Sequence, residues 1–109
     1  MGDKYELLPG TLGLLVLRVL TRGELHGWGI TNKLEQLSKR ALQVDEGSLY
    51  PSLYRMEDKG WIEAEWKLTE NNRRAKYYSL TRAGRKQLAT EEKLWDRTST
   101  IMAMVLPST

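Results

Sequence analysis

The sequence predicts a mainly α protein with a small β hairpin: three helices, the hairpin, then one long last helix. Three observations carry this reading. Apolar residues recur at helical spacing in three stretches before Gly60, the period switches to 2 across residues 62–80, and helical spacing resumes from Arg82 to Leu106. With 109 residues the chain has the length of one domain and can bury a core without staples. It has no cysteine, so no disulfide or thiolate site is expected. No apolar run approaches the roughly 20 residues of a membrane span. The polar start MGDKYE lacks a signal-peptide pattern, so a cytoplasmic protein with no membrane partner is expected.

In chain order, residues 1–8 read as an arm. Pro9-Gly10-Thr11 introduces the first helix, with Thr11 as the expected N-cap. Leu12, Leu15, Val16, Val19 and Leu20 form a wide apolar stripe. Leu14 and Leu17 lie off that stripe, so this helix wants a partner beyond its own core. Gly23 closes it, and Glu24–Gly27 is a connector. The second helix runs from about Trp28 to Ser38, with Ile30, Leu34 and Leu37 on one face; Lys39 to Val44 is a short link.

The third helix occupies Asp45 to Gly60. Leu49, Leu53 and Met56 make a buried stripe, while Ser48, Tyr50, Ser52, Tyr54 and Arg55 lie off it and can hydrogen-bond to a partner. Asp45 is the candidate cap and Gly60 the left-handed residue that stops the helix. Pro51 is tolerated only near a helix start, which could move the start to Ser48. Taken alone, this segment fits an amphipathic core helix as well as a helix inserted into a DNA major groove.

Ile62, Ala64, Trp66 and Leu68 alternate with Glu63, Glu65 and Lys67 as a half-buried strand. Ala75–Leu80 is its partner, and the polar turn TENNRR joins them. Thr81 caps the last helix, expected from about Arg82 to Leu106. Leu88, Trp95 and Met102 repeat every seven residues, as do Leu94 and Ile101, and Val105 extends the stripe. A helix of roughly 25 residues spans about 37 Å, more than a three-helix core can cover. Its outer half therefore suggests a second subunit. Residues 1–80 are expected to form one unit, and residues 81–109 a dimerisation helix and tail.

Charge is unevenly placed. Residues 67–86 hold seven bases (Lys67, Arg73, Arg74, Lys76, Arg82, Arg85, Lys86) against one acid, Glu70, a net of +6. The rest of the chain holds ten bases and thirteen acids, a net of −3. Such a segment suits a polyanion, although a solvated basic loop has the same composition. Enzymatic signals are weak. His26 is the single histidine, the acidic pairs are sequence neighbours that do not share a helix face, and no glycine-rich phosphate loop exists. Neither catalysis, a metal nor a cofactor is expected.

Three helices, a basic-tipped hairpin and a long helix make the layout of a winged helix-turn-helix with an appended dimerisation helix. A major groove admits one helix. Arg55 could contact guanine, and Ser48, Tyr50 and Ser52 bases or phosphates; Asn71, Asn72, Arg73, Arg74 and Lys76 lie at or beside the hairpin tip, toward phosphates or the minor groove. A winged-helix protein-interaction module without DNA binding is the alternative, and the +6 segment argues against it.

The motifs PGTLGLLVLRVL (9–20), HGWGI (26–30), EGSLYPSLYRMEDKGWIEAEW (46–66), NNRRAKYYSLT (71–81) and AGRKQL (83–88) cover nearly the whole chain. With them the sequence resembles the PadR-like transcriptional regulators, in their short C-terminal subgroup. That resemblance implies a homodimeric repressor that binds double-stranded DNA at a palindromic operator. By position, Ser48, Tyr50, Pro51 and Ser52 match the recognition-helix motif, and Asn72, Arg73, Arg74 and Lys76 the wing motif. It also implies, for some members, a pocket at the dimer interface where a tryptophan of the last helix stacks small flat aromatic effectors. Trp95 looks like that residue, with Leu14 near it; packing in a dimer core accounts for Trp95 as well. The expected interface comprises Leu14, Leu88, Leu94, Trp95, Ile101, Met102 and Val105.

Overall fold

The computed structural model describes residues 10–107; the expected arm at residues 1–8 and the end of the expected tail lie outside them. In order the chain forms α1 (Thr11–Val19), a 3-10 turn (Leu20–Arg22), β1 (Leu25–His26), α2 (Gly27–Leu37), α3 (Glu46–Asp58), β2 (Ile62–Leu68), β3 (Arg74–Leu80) and α4 (Arg82–Val105). The strands make an antiparallel sheet of order β1-β3-β2. Strand β1 lies in the segment read as a plain connector. Two residues carry no detectable period, and pairing with Tyr77 and Tyr78 is what extends them.

Helices α1, α2 and α3, the sheet and the start of α4 enclose one core. Leu17, Leu20, Ile30, Leu49, Leu53, Ile62 and Val16 are fully buried. Each such side chain contributes about 1.5–3 kcal/mol when taken from water. Leu17 lies off the expected stripe yet is buried, because α1 is covered on more than one side. Two local expectations are corrected. Thr11 is the first helical residue; the N-cap is Gly10, whose φ of 87° favours glycine. Leu37, in the last turn of α2, is exposed because the core ends at Leu34.

The end of α3 is built as expected. Gly60 takes φ 77°, with Gly60 N–H donating to the Glu57 carbonyl and Trp61 N–H to that of Met56, a Schellman closure. Helix α2 ends with the same hydrogen-bond pattern, but through Lys39 and Arg40 at φ 53° and 66°, in a conformation costly for side chains with a Cβ. The start of α3 stays at Glu46 rather than moving to Ser48, so Pro51 sits in the second turn and leaves the Gly47 carbonyl without its i+4 donor.

Helix α4 is seated on the end of α3. Thr81 Oγ1 accepts from Gly84 N–H at 3.0 Å and faces the Gly60 carbonyl at 2.6 Å, to which it can donate. A Cβ on Gly84 would overlap the Trp61 carbonyl oxygen and stand 2.8 Å from Leu80 Cδ1. The first of these neighbours is backbone and cannot swing aside. Gly84→Ala should therefore destabilise the chain by roughly 2–3 kcal/mol. A urea midpoint equal to that of the unmodified chain would show that this contact does not seat α4. Beyond Leu88, α4 runs out of the core, and Glu92 pairs with Arg18 of α1 at 3.5 Å.

Candidate nucleic-acid interface

Helix α3 begins at Asp45, whose Oδ1 accepts from Ser48 N–H at 2.8 Å. Its inward face is Leu49, Ser52, Leu53 and Met56. Ser52 is only 4 % exposed, so the expectation that it reaches a partner is corrected. It lies three residues after Leu49, a spacing that places it on the buried face. Ser48, Tyr50, Pro51, Tyr54 and Arg55 remain outward. Tyr54, noted for its hydroxyl but not placed in the expected site, is among the most exposed aromatics of this face. Tyr50 reaches the start of α2: a Cβ at Gly27 would come within 2.9 Å of Tyr50 Cζ, so a glycine there leaves room for the hydroxyl end of the ring.

The hairpin tip is held by its own backbone. Thr69 N–H donates to the Arg73 carbonyl at 2.7 Å, and Asn72 N–H to the Thr69 carbonyl at 2.9 Å. Asn72 sits at φ 62°, a conformation asparagine tolerates, so its residue type serves the turn. Asn71, Asn72, Arg73 and Arg74 are exposed. Lys76 departs from its expected role as a free cation beside the tip. Its Nζ pairs with Glu57 of α3 at 3.1 Å, which, against a smaller cost of burial, raises its pKa and holds it charged. Lys67 is likewise held by Glu24 at 2.5 Å, which raises its pKa too. Arg73 and Arg74 form no ion pair among the described residues. Arg74 lies over the Trp66 ring, 5.4 Å from its centroid. The +6 segment thus includes two bases with internal acidic partners. Its other members are the two tip arginines and Arg82, Arg85 and Lys86 at the start of α4.

Between the β1–α2 junction and the hairpin lies an open cleft of about 850 Å³, lined also by Tyr50 of α3, with Trp66 and the tip loop on the hairpin side. His26 belongs to this junction in a structural role. Its Nδ1 accepts from Gly29 N–H at 2.9 Å and caps α2, and its ring meets Tyr77 edge-on. Among the described residues no group of three or more His, Cys, Asp or Glu could hold a metal ion. Burial raises the pKa of Tyr78 under the sheet, consistent with a core role.

The expected interface residues separate into two sets. Leu88 is 5 % exposed and belongs to this chain's own core, a correction, and Leu14 is half-buried against the same core. Leu94, Trp95, Ile101, Met102 and Val105 stand exposed on α4, joined by Met104 and Leu106. Trp28 and Trp66 are also exposed. The buried face of β2 leaves the core after Ala64, which alternation alone does not reveal.

A three-helix core, a β1-β3-β2 sheet and a hairpin projecting beside an exposed third helix define a winged helix-turn-helix protein. Residues 16–90 match the model of the transcriptional regulator PadR-like family. The chain is 31% identical over 88 residues to transcriptional regulator Rv3488 of Mycobacterium tuberculosis, covering 81% of this chain and 78% of that one. A PadR-like transcriptional regulator from Bacillus cereus superposes with a TM-score of 0.76 at 30% identity, over 92% of this chain and 95% of the other. A transcriptional regulator from Clostridium thermocellum shares the fold, with a TM-score of 0.82 at 23% identity, over 89% and 94%. The chain belongs to the PadR-like family of transcriptional regulators, a regulatory rather than an enzymatic family. No helix among the described residues is long and apolar enough to cross a membrane.

Proposed function

We propose that this regulator is a homodimeric, sequence-specific repressor that occupies a palindromic DNA operator in the cytoplasm. The observation that carries the reading is the pairing of an exposed α3 face with a wing tip whose two arginines have no acidic partner among the described residues. Arg55, Ser48, Tyr50 and Tyr54 would read base edges or phosphates in the major groove, and the tip would engage the neighbouring backbone or minor groove. Pro51 fixes the backbone between Tyr50 and the next turn. The apolar stripe of α4 supports the dimer: exposed Trp95, Ile101 and Met102 in one chain require cover. A flat aromatic effector would lodge beside Trp95 at that interface. To release DNA it must bind one arrangement of the two α3 helices better than the other.

A salt titration tests the DNA reading. Anisotropy of a labelled promoter duplex should show binding that weakens steeply as salt rises, because phosphate contacts release counterions. No binding, or affinity indifferent to salt, would favour a protein-interaction module instead.

A further inference from the structure

Two tryptophans serve neither the core nor the α4 stripe. Trp28 on α2 and Trp66 on β2 are 71% and 58% exposed, and both line the cleft between the β1–α2 junction and the hairpin. Large exposed aromatics gathered at a concave surface mark contact with a partner. Because β1 pairs with β3 at Tyr77 and Tyr78, the edge of β3 from Arg74 to Lys76 has no strand beside it on that side among the described residues. The charges differ along this edge. Glu57 holds Lys76, whereas Arg74 is held by a ring. A carboxylate would orient the guanidinium and also cancel its charge. The indole face limits its motion yet leaves the full charge and the N–H edges for another anion. The single acid among the lining residues, Glu70, lies on the tip loop.

We propose that this cleft seats the sugar–phosphate backbone of one DNA strand. Trp66 is a positioning residue that presents Arg74 to the phosphates, and Trp28 supplies an apolar wall for the deoxyriboses. A duplex strand is the fitting occupant because Tyr50 of the outward α3 face and the wing-tip residues both line the cleft, so DNA engaged with that face and the tip would pass a strand across it. Its cationic rim complements a phosphodiester. The inference rests on the DNA-binding reading above and deepens it.

Anisotropy titrations of one labelled duplex over a salt series, with the unmodified chain and Trp66→Ala, Trp66→Phe and Trp28→Ala, test it. Trp66→Ala should weaken binding roughly five- to tenfold and lower the salt slope by about one phosphate, since Arg74 loses its support. Trp66→Phe keeps a ring beneath the guanidinium and should restore the slope. Trp28→Ala should weaken binding with the slope unchanged. Urea midpoints should barely move, as both side chains are exposed. Wild-type affinity and slope in Trp66→Ala overturn the proposal, as does a Trp66→Phe variant as defective as Trp66→Ala. If those variants bind normally while loss of Arg73 and Arg74 abolishes binding, DNA recognition stands and the cleft role falls. If the unmodified chain binds no duplex, both fall.

Discussion

Trp95→Asp should yield monomers in sedimentation velocity at concentrations where the unmodified chain is expected to be a dimer, and DNA binding should be lost with the dimer. The reason lies in how α4 is used. Gly84 and Leu88 fix its first turns to the core, and beyond Glu91 its side chains are exposed in the single chain. Trp95 is 50% exposed there, in line with Ile101, Met102 and Val105. In a two-fold interface each chain presents the same patch, so Trp95 of both would enter one desolvated zone. Aromatic anchors of this kind cost about 2–4 kcal/mol when truncated. Aspartate adds the penalty of burying two like charges, which raises the dissociation constant by at least roughly a hundredfold. A persistent dimer in this variant would place the interface elsewhere than α4.

The double variant Arg73→Ala with Arg74→Ala should weaken binding to every duplex and lower the salt slope by up to about two phosphates' worth. Among the described residues these two cations have no acidic partner, so their removal orphans none there and should change stability little. The effect should be uniform across sequences if the tip meets backbone. An unchanged slope would remove the wing from the interface and leave the exposed face of α3 to account for affinity alone.

The elements that position this surface were legible because their signals are long. Seven alternating residues marked β2, and Thr81 with a run of helical spacing marked α4 to within one residue of its observed end. Gly60 closed α3 as its backbone freedom required. Side-chain destinations were less legible, since a period tells which residues share a face but not where the neighbouring element stops. Ser52 shares the buried face with Leu49 and Leu53, and Leu88 falls on the part of the α4 stripe that its own core covers. Trp66 keeps the alternation of β2 after the core has ended. Ion pairing was illegible for another reason: Glu24 and Lys67 stand 43 residues apart, and Glu57 and Lys76 stand 19 apart. Only the fold makes them neighbours, and it thereby separates two satisfied lysines from two available arginines within one basic run.

In the proposed role helix α3 would offer few base-reading side chains, so a single copy would specify only a short sequence; specificity at an operator would require two copies in fixed relation. Selection of bound sequences from a random duplex pool measures this directly. A dimer reading through paired α3 helices enriches an inverted repeat with half-site centres about 34 Å apart, one turn of DNA. Enrichment of a single asymmetric site, or none at all, would contradict it.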